Sequence, residues 1–297
     1  MSRLIVNADD FGLTSGVNRA IVELHHAGVL TSATLMARAR ATEEAIEMAR
    51  ATPTLGVGCH VVLVDGKPVL PAREIPYLAD PVGERFKPTL GSFVVELCRS
   101  GLGLTGSRYF GRHLTRDIEA EAYAQMALLQ ERGVALDHVD THKHTHMFPA
   151  VLRPVLRAAR RAGIGRVRNP FEPAWSRRAT RGASWVRRAE VAVLARMERA
   201  FRRIVAEEGF VTTDGALGVL ATGSLDAGTV RALLGAMPEG MWELVAHPGY
   251  NDADLARART RLLASRAVEQ EALRAVAEFA GVGLARFGDL AVGANEV

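Results

Sequence analysis

Short apolar runs alternate with longer stretches of helical periodicity along most of this chain, and this alternation limits the fold more than any other feature. We expect strands at residues 3–8, 31–37, 55–63, 136–140, 165–170, 218–223, 242–249 and 282–290, and helices at 14–28, 42–52, 115–132, 149–163, 181–205 and 260–281. Strands that alternate with helices form a parallel sheet covered by helices. Seven or eight strands in 297 residues fit a (β/α) barrel better than two doubly wound halves.

One long segment interrupts the alternation after the third predicted strand. Residues 64–112 are rich in proline and glycine and predict an irregular excursion, with a short helix at about 93–99. No linker, repeat or low-complexity stretch divides the chain, and 48% of its residues are hydrophobic. We therefore expect a single domain over residues 1–297.

The charge is unevenly distributed. Residues 151–203 contain fifteen arginines, no lysine and three glutamates, so this segment carries a charge of about +12. The net charge of the whole chain is +4, so the rest of the chain is negatively charged. Such a segment suits phosphate, nucleic acid or anionic lipid, or it is simply a solvated surface. Nucleic acid fits poorly, because aromatics are only 6% of the chain and no nucleic-acid-binding motif is present. Residues 181–205 have the pattern of a basic amphipathic helix, typical of membrane-surface contact and also of an ordinary packed helix.

Cysteine content and hydropathy predict the compartment. The two cysteines cannot form a disulfide framework, and the chain contains no signal peptide pattern and no apolar run long enough to span a bilayer. We expect a cytoplasmic protein, with peripheral contact at the inner membrane face left open.

Acidic residues and histidines follow several of the predicted strands. Asp9 and Asp10 follow the first, Asp140 and His142 follow "LDHV", and His60 and His247 lie at the ends of two others. These ends meet at one rim of a (β/α) barrel, where active sites are built. Oxygen and nitrogen donors without thiolates indicate Zn²⁺, Mn²⁺, Co²⁺ or Ni²⁺.

Two histidines and one carboxylate leave open positions for water and substrate, which is typical of a metal hydrolase. A second carboxylate can act as general base, and the Asp9-Asp10 pair supplies both roles if the chain turns near Gly12. Each cluster alone has a simpler structural explanation. Asp9 and Asp10 could cap the N-terminus of a helix, His60 could be a buried core histidine, and His247 could lie in a turn that ends a strand. The stretch "DTHKHTHMF" is harder to explain as surface, because it follows an apolar strand directly.

The chain resembles a known family at these residues. "LIVNADDFGLTSGVNRAI", "GVGCHVVLVDGKPVLP", "LDHVDTHKHTHMFPAVL" and "ELVAHPGYND" occur in the order and approximate spacing of the YdjC-like carbohydrate deacetylases, relatives of chitooligosaccharide deacetylase. "LVDGKPVLP" and "LDHVDTHKHTHMFP" look closest to the branch associated with hopanoid biosynthesis. That branch implies removal of acetyl from an N-acetylglucosaminyl hopanoid, and the wider family implies soluble substrates such as diacetylchitobiose.

The resemblance implies a deformed (β/α) barrel, one divalent ion (Zn²⁺, Mg²⁺, Mn²⁺, Co²⁺ or Ni²⁺) and a homodimer. It makes Asp9 the general base and His247 the proton donor to the leaving amine. The remaining implied roles are metal ligands at Asp10, His60 and His142, and substrate-binding or ligand-orienting side chains at Asp140, His144, His146 and Arg168. Cys59 and the arginine-rich segment depart from the family pattern and bear on substrate detail.

Two competing hypotheses remain at this point. A metal-dependent phosphoesterase on the same barrel would use the arginines for phosphate, although no glycine-rich phosphate loop precedes a helix. A sugar- or lipid-binding barrel without activity is the other, and the complete set of strand-end residues argues against it.

Overall fold

A computed structural model describes residues 2–99, 108–258, 260–279 and 281–291. Its strands are β1 (Ser2–Phe11), β2 (Ser32–Leu35), β3 (Gly56–Val61), β4 (Ala79–Asp80), β5 (Arg85–Phe86), β6 (Leu136–Thr141), β7 (Gly215–Leu217), β8 (Gly240–Ala246) and β9 (Gly283–Leu284). Seven of them form one parallel sheet in the order β6-β3-β2-β1-β8-β7, with β9 paired to the start of β1. The predicted alternation is thereby confirmed, and the sheet curls as a deformed (β/α) barrel.

The segment from Gly165 to Phe171 bridges the two ends of the curled sheet. Val167 pairs with Val139 of β6, Arg166 pairs with Val211, and the Phe171 carbonyl accepts a hydrogen bond of 3.0 Å from Ala216 of β7. The strand predicted at 165–170 is therefore reduced to isolated bridges. Pro170 has no N–H to donate, and the preceding Asn169 side chain accepts from the Phe171 N–H instead.

The helices cover the outside of the sheet. They are α1 (Ser15–His26), α2 (Thr42–Ala51), α3 (Leu90–Leu97), α4 (Arg108–Glu131), α5 (Pro149–Arg161), α6 (Ala174–Ala179), α7 (Trp185–Leu194), α8 (Glu198–Glu207), α9 (Ala227–Gly235), α10 (Ala253–Arg257) and α11 (Ser265–Leu273). None of the helices in the described part of the chain is long and apolar enough to cross a bilayer.

Several predicted boundaries are wrong. The helix predicted at 181–205 is two helices, α7 and α8, joined by a 3₁₀ turn, and the helix predicted at 260–281 is only α11 with a 3₁₀ extension. The strand predicted at 218–223 lies earlier, as β7, because the chain turns at Gly218 with φ of 84°. The helices α6, α9 and α10 were not predicted, although the Asp226 side chain caps α9 by accepting from the Thr229 N–H.

The excursion after β3 packs against one face of α4. Gln125 accepts from the Val62 N–H, Glu121 accepts from two excursion N–H groups, and Asp117 accepts from the Tyr77 N–H. These three α4 residues are four apart, so they share a helix face. The predicted irregularity is confirmed for the described part, and the predicted short helix is α3, although it begins earlier, at Leu90. The β4–β5 hairpin was not predicted, and residues 100–107 lie outside the described residues.

Candidate metal and active site

The strand-end residues named from the sequence lie together at the carboxyl end of the sheet. Asp9 and Asp10 lie in β1, His60 in β3 and Asp140 in β6, while His247 directly follows β8. These strands are neighbours, or next-but-one neighbours, in the order β6-β3-β2-β1-β8. Side chains more than 200 residues apart in sequence thus face one interior site.

A local break in β1 lets two adjacent carboxylates enter this site. The register between β1 and β2 shifts between Ala8 and Phe11, and Asp10 has a left-handed φ of 66°. Side chains of successive residues in a regular strand point to opposite faces, so this break is needed for both Asp9 and Asp10 to face the interior. The turn expected near Gly12 therefore begins at Asp10.

Asp10, His60 and His142 have the spacing of metal ligands. His60 Nε2 lies 3.3 Å from His142 Nδ1, and Asp10 Oδ1 lies 3.6 Å from the first nitrogen and 3.4 Å from the second. Two ligands that each lie about 2.1 Å from a tetrahedral ion are about 3.4 Å from one another. The donor set and its spacing thus fit one divalent ion.

Asp140 orients His60 for this role. Its Oδ1 lies 2.7 Å from His60 Nδ1, so the hydrogen of the neutral imidazole is placed on that nitrogen and the lone pair of Nε2 faces Asp10 and His142. Burial by itself lowers the pKa of His60, but the surrounding carboxylates, Asp140 foremost, outweigh it and raise the pKa to about 9. Carboxylates that attract a proton this strongly also favour a metal cation in its place.

Asp9 lies on the other side of His60 and binds Arg168. Its carboxylate accepts from both terminal guanidinium nitrogens of Arg168, and its Oδ2 lies 3.7 Å from His247 Nε2. Burial raises the pKa of Asp9, but Arg168, His60 and His247 outweigh burial and hold the pKa far below the ordinary value. Asp9 is therefore an ionised carboxylate next to the candidate metal ligands.

The His-rich stretch does not continue β6 as an alternating strand. It is a 3₁₀ segment, His142–Met147, in which Lys143 and His144 have left-handed φ angles of 57° and 52°. His146 is fully buried, with Thr141 Oγ1 2.8 Å from its Nδ1 and the Arg168 carbonyl 3.2 Å from its Nε2. Both of its nitrogens thus bind protein atoms, which favours an orienting role for His146 over contact with substrate.

His144 lies closer to solvent than His146, and its Nδ1 is a buried atom without a hydrogen-bond partner in the structure. Burial and the positive charge of Arg168 lower the pKa of His144 to about 3, and burial likewise lowers the pKa of His146 to about 4. Both are neutral imidazoles at neutral pH, and neither belongs to the three-donor cluster of Asp10, His60 and His142.

Four residues of the site were missed in the sequence. Arg266 of α11 donates to Asp10 Oδ2, Glu243 of β8 accepts from Arg168, Glu269 accepts from the His247 N–H, and the Thr34 hydroxyl contacts Asp9 and His60. Glu243 gave a signal, because it is an acid inside the apolar run "WELVA". The other three are ordinary residues in helical or strand patterns.

A model of the YdjC-like protein family matches residues 3–279. The chain belongs to that family. The matched range includes all of the strand-end residues.

Two curated relatives carry a named activity. A carbohydrate deacetylase of Brevibacillus brevis is 41% identical over 157 residues, and a chitooligosaccharide deacetylase of Salmonella typhimurium is 35% identical over 166 residues. The matched stretches cover 53% and 54% of this chain and 55% and 57% of the relatives, so the chain spans little more than half the length of each.

A solved structure from Enterococcus faecalis matches nearly the whole chain. It is described as a candidate cellobiose-phosphate cleavage protein, is 26% identical, and has a TM-score of 0.74 over 98% of this chain and 99% of its own. The deformed barrel of this chain is thus a fold that an experimental structure also shows.

Proposed function

We propose that this protein is a metal-dependent hydrolase that removes the N-acetyl group from an N-acetylglucosamine-type sugar. The observation that carries the proposal is the three-donor cluster of Asp10, His60 and His142 with the ionised carboxylate of Asp9 beside it. The relatives named carbohydrate and chitooligosaccharide deacetylase support the reaction class.

Asp10, His60 and His142 would hold one divalent ion. Two imidazoles and one carboxylate suit Zn²⁺, Mn²⁺, Co²⁺ or Ni²⁺ better than Mg²⁺, which prefers oxygen ligands. When bound, such an ion lowers the pKa of water and polarises a carbonyl oxygen.

Asp9 accepts the proton of the attacking water in this mechanism. Its low pKa makes it a weak base, so it can act only on a water molecule whose own pKa is lowered. Arg168 fixes both oxygens of Asp9, which removes the cost of orienting the base during the reaction.

His247 gives a proton to the departing sugar amine. Burial lowers its pKa, but the nearby carboxylates of Glu269 and Asp9 outweigh burial and raise it, so the protonated form extends toward neutral pH. Water adds to the acetamide carbon, the C–N bond breaks, and the products are a free amine and acetic acid, which then loses its proton to give acetate. The proton from water goes to Asp9 and that of His247 to nitrogen.

We further propose a lipid-linked substrate, an N-acetylglucosaminyl hopanoid, acted on at the inner face of the membrane. The resemblance of "LVDGKPVLP" to the hopanoid-associated branch and the basic segment 151–203 support this choice over soluble chitooligosaccharides. Parallel assays with diacetylchitobiose and a lipid-linked N-acetylglucosamine test it. Much faster turnover of the soluble sugar would overturn the hopanoid assignment.

Acetate release from these substrates, with and without a chelator, tests the deacetylase proposal. Activity should disappear on metal removal, return with Zn²⁺ or Co²⁺, and be absent in Asp10→Ala, while Asp254→Ala, at a half-exposed acid on α10, should keep it. Full activity in a metal-free sample would contradict the proposal. Release of phosphate from sugar phosphates without acetate release would identify a phosphoesterase instead, and sugar binding without any turnover would identify a binding protein.

A further inference from the structure

The outer face of α7 carries an apolar stripe that is exposed to solvent. The stripe comprises Trp185, Val186, Ala189, Ala192 and Val193. Their spacing of one, three and four residues places them on one side of the helix. Trp185 is 80% exposed and Val193 is 56% exposed. An amphipathic helix normally buries its apolar side, and an exposed apolar patch of this kind marks an interaction site. We call it the α7 stripe.

Exposed arginines lie immediately before and after the α7 stripe in the chain. Arg178, Arg181 and Arg196 are exposed, and none of them forms an ion pair with the carboxylates in the described residues. The single acid of α7, Glu190, lies 3.3 Å from Arg187. The surface around the stripe is therefore complementary to a negatively charged partner.

The helix is attached to the rim that carries the active site. Arg187 donates to the carbonyl of Val219, in the loop that follows β7, over 3.1 Å. In the same loop, the Gly223 N–H binds Glu269, whose other oxygen accepts from the His247 N–H. A surface that binds at the α7 stripe would thus lie beside the opening of the barrel.

We propose that the α7 stripe docks this protein on an anionic lipid bilayer. Trp185 supplies the ring that prefers the boundary between headgroups and acyl chains, Val186 and Val193 add apolar area, and the arginines bind lipid phosphates. A second copy of the chain is a poorer occupant, because a two-fold contact sets identical patches against each other and would bring the arginines together. The docking does not depend on the proposed deacetylation.

Co-sedimentation of the full chain with vesicles tests the docking. The protein should bind vesicles that contain phosphatidylglycerol, bind weakly to phosphatidylcholine alone, and dissociate as salt increases. Val193→Asp and Arg178→Glu/Arg181→Glu should each weaken binding by roughly tenfold or more. The matched controls, Val82→Asp at a position 94% exposed on the β4–β5 turn and Arg73→Glu, should bind like the unchanged protein.

Intrinsic fluorescence gives a second readout, since Trp175 and Trp242 are not exposed and Trp185 is. Vesicle binding should shift the emission to shorter wavelength, and Trp185→Phe should bind without that shift. Absence of binding to anionic vesicles, or equal loss in the Val82→Asp control, would overturn the proposal. So would a concentration-dependent dimer that Val193→Asp abolishes, which would assign the stripe to a second copy. No substrate is present in these measurements, so their failure is separate from failure of the deacetylase assay.

Discussion

Arg168 binds both oxygens of Asp9 in the barrel interior: Nη2 lies 2.6 Å from Oδ1 and Nη1 lies 2.9 Å from Oδ2. The same guanidinium also contacts Asp140 and Glu243, and it is fully buried. One cation thus connects the proposed general base with the carboxylate that orients His60. The positions of base and candidate metal ligand are coupled through Arg168.

Replacing Arg168 should damage stability and activity together. Arg168→Met leaves buried carboxylates without their cation, which costs about 3–5 kcal/mol for a buried pair. Arg168→Lys keeps the charge but loses the two-nitrogen contact with Asp9. We expect it to retain more of the unfolding free energy and still to lose kcat, as measured by urea unfolding and acetate release.

Arg132 offers a matched control on the surface. It contacts both oxygens of Glu43 at 2.7 and 3.0 Å, the same two-nitrogen geometry as in the Arg168–Asp9 pair, but both side chains are exposed. Arg132→Lys should change the unfolding free energy by less than about 1 kcal/mol and leave kcat unchanged. Equal effects at the two positions would show that burial of Arg168 is irrelevant.

Metal binding should separate the histidines of the "HKHTH" stretch. His142→Ala removes one of the three clustered donors and should leave substoichiometric metal after dialysis, measured by atomic emission. His146→Ala should keep the metal, because His146 binds Thr141 and the Arg168 carbonyl and not the cluster. Its expected effects are a lower unfolding free energy and a lower rate. Metal loss in His146→Ala with retention in His142→Ala would contradict the assigned ligand set.

Arg266 should tune metal affinity although it is no ligand. It donates to Asp10 Oδ2 and leaves Oδ1 facing His60 and His142. Arg266→Gln should raise the Zn²⁺ dissociation constant by about 10–100-fold, the usual cost of losing a group that orients a ligand. Isothermal titration of the metal-free protein measures this, with Arg257→Gln, at an exposed position of α10, as control. An unchanged dissociation constant would remove Arg266 from the site.

The sequence predicted Asp9, Asp10 and the histidines of this site because they lie at or just beyond the ends of apolar strands, whereas the acids Glu243 and Glu269 were missed. Asp9, His60 and His247 could be assigned to one rim without knowledge of side-chain contacts, since parallel strands end on the same side. The left-handed backbone conformations of Asp10 and His144 could not be predicted, because neither residue is glycine and the conformation depends on tertiary packing.

The burial of the arginines in the site could not be predicted from the sequence either. Arg266 looks like any surface arginine of a helix, and its burial follows from a contact with Asp10 across 256 positions of sequence. Arg168 was named as a substrate-binding or ligand-orienting side chain, but its full burial among three carboxylates was not predicted. Helical periodicity gives no sign of such long-range pairs, and the same limitation hid the division of residues 181–205 into α7 and α8.

Glu269 should set the alkaline limit of activity through His247. The carboxylate lies 3.5 Å from His247 Nδ1 and contributes to its raised pKa, which burial alone would lower. Loss of this negative charge lowers the pKa of His247. Because the proton donor must be protonated to act, activity should then begin to fall at a lower pH. In Glu269→Gln we expect the alkaline limb of the kcat–pH profile to move toward acid. An unmoved limb would mean that His247 is not the proton donor.

Glu243 should make the stability of the fold depend on pH. Burial raises its pKa to about 7, even though Arg168 beside it favours the charged form. The folded state therefore binds this proton more tightly than the unfolded state does, and the free energy of unfolding should fall as pH rises from about 4.5 to above 7, by about 3 kcal/mol at most. The side chain introduced by Glu243→Gln cannot titrate, so this pH-dependent part of the unfolding free energy should vanish. Urea unfolding at pH values on either side of that range measures it, and the control variant Glu47→Gln, at an exposed position, should retain it. A pH dependence that survives in Glu243→Gln would place the titration elsewhere in the interior.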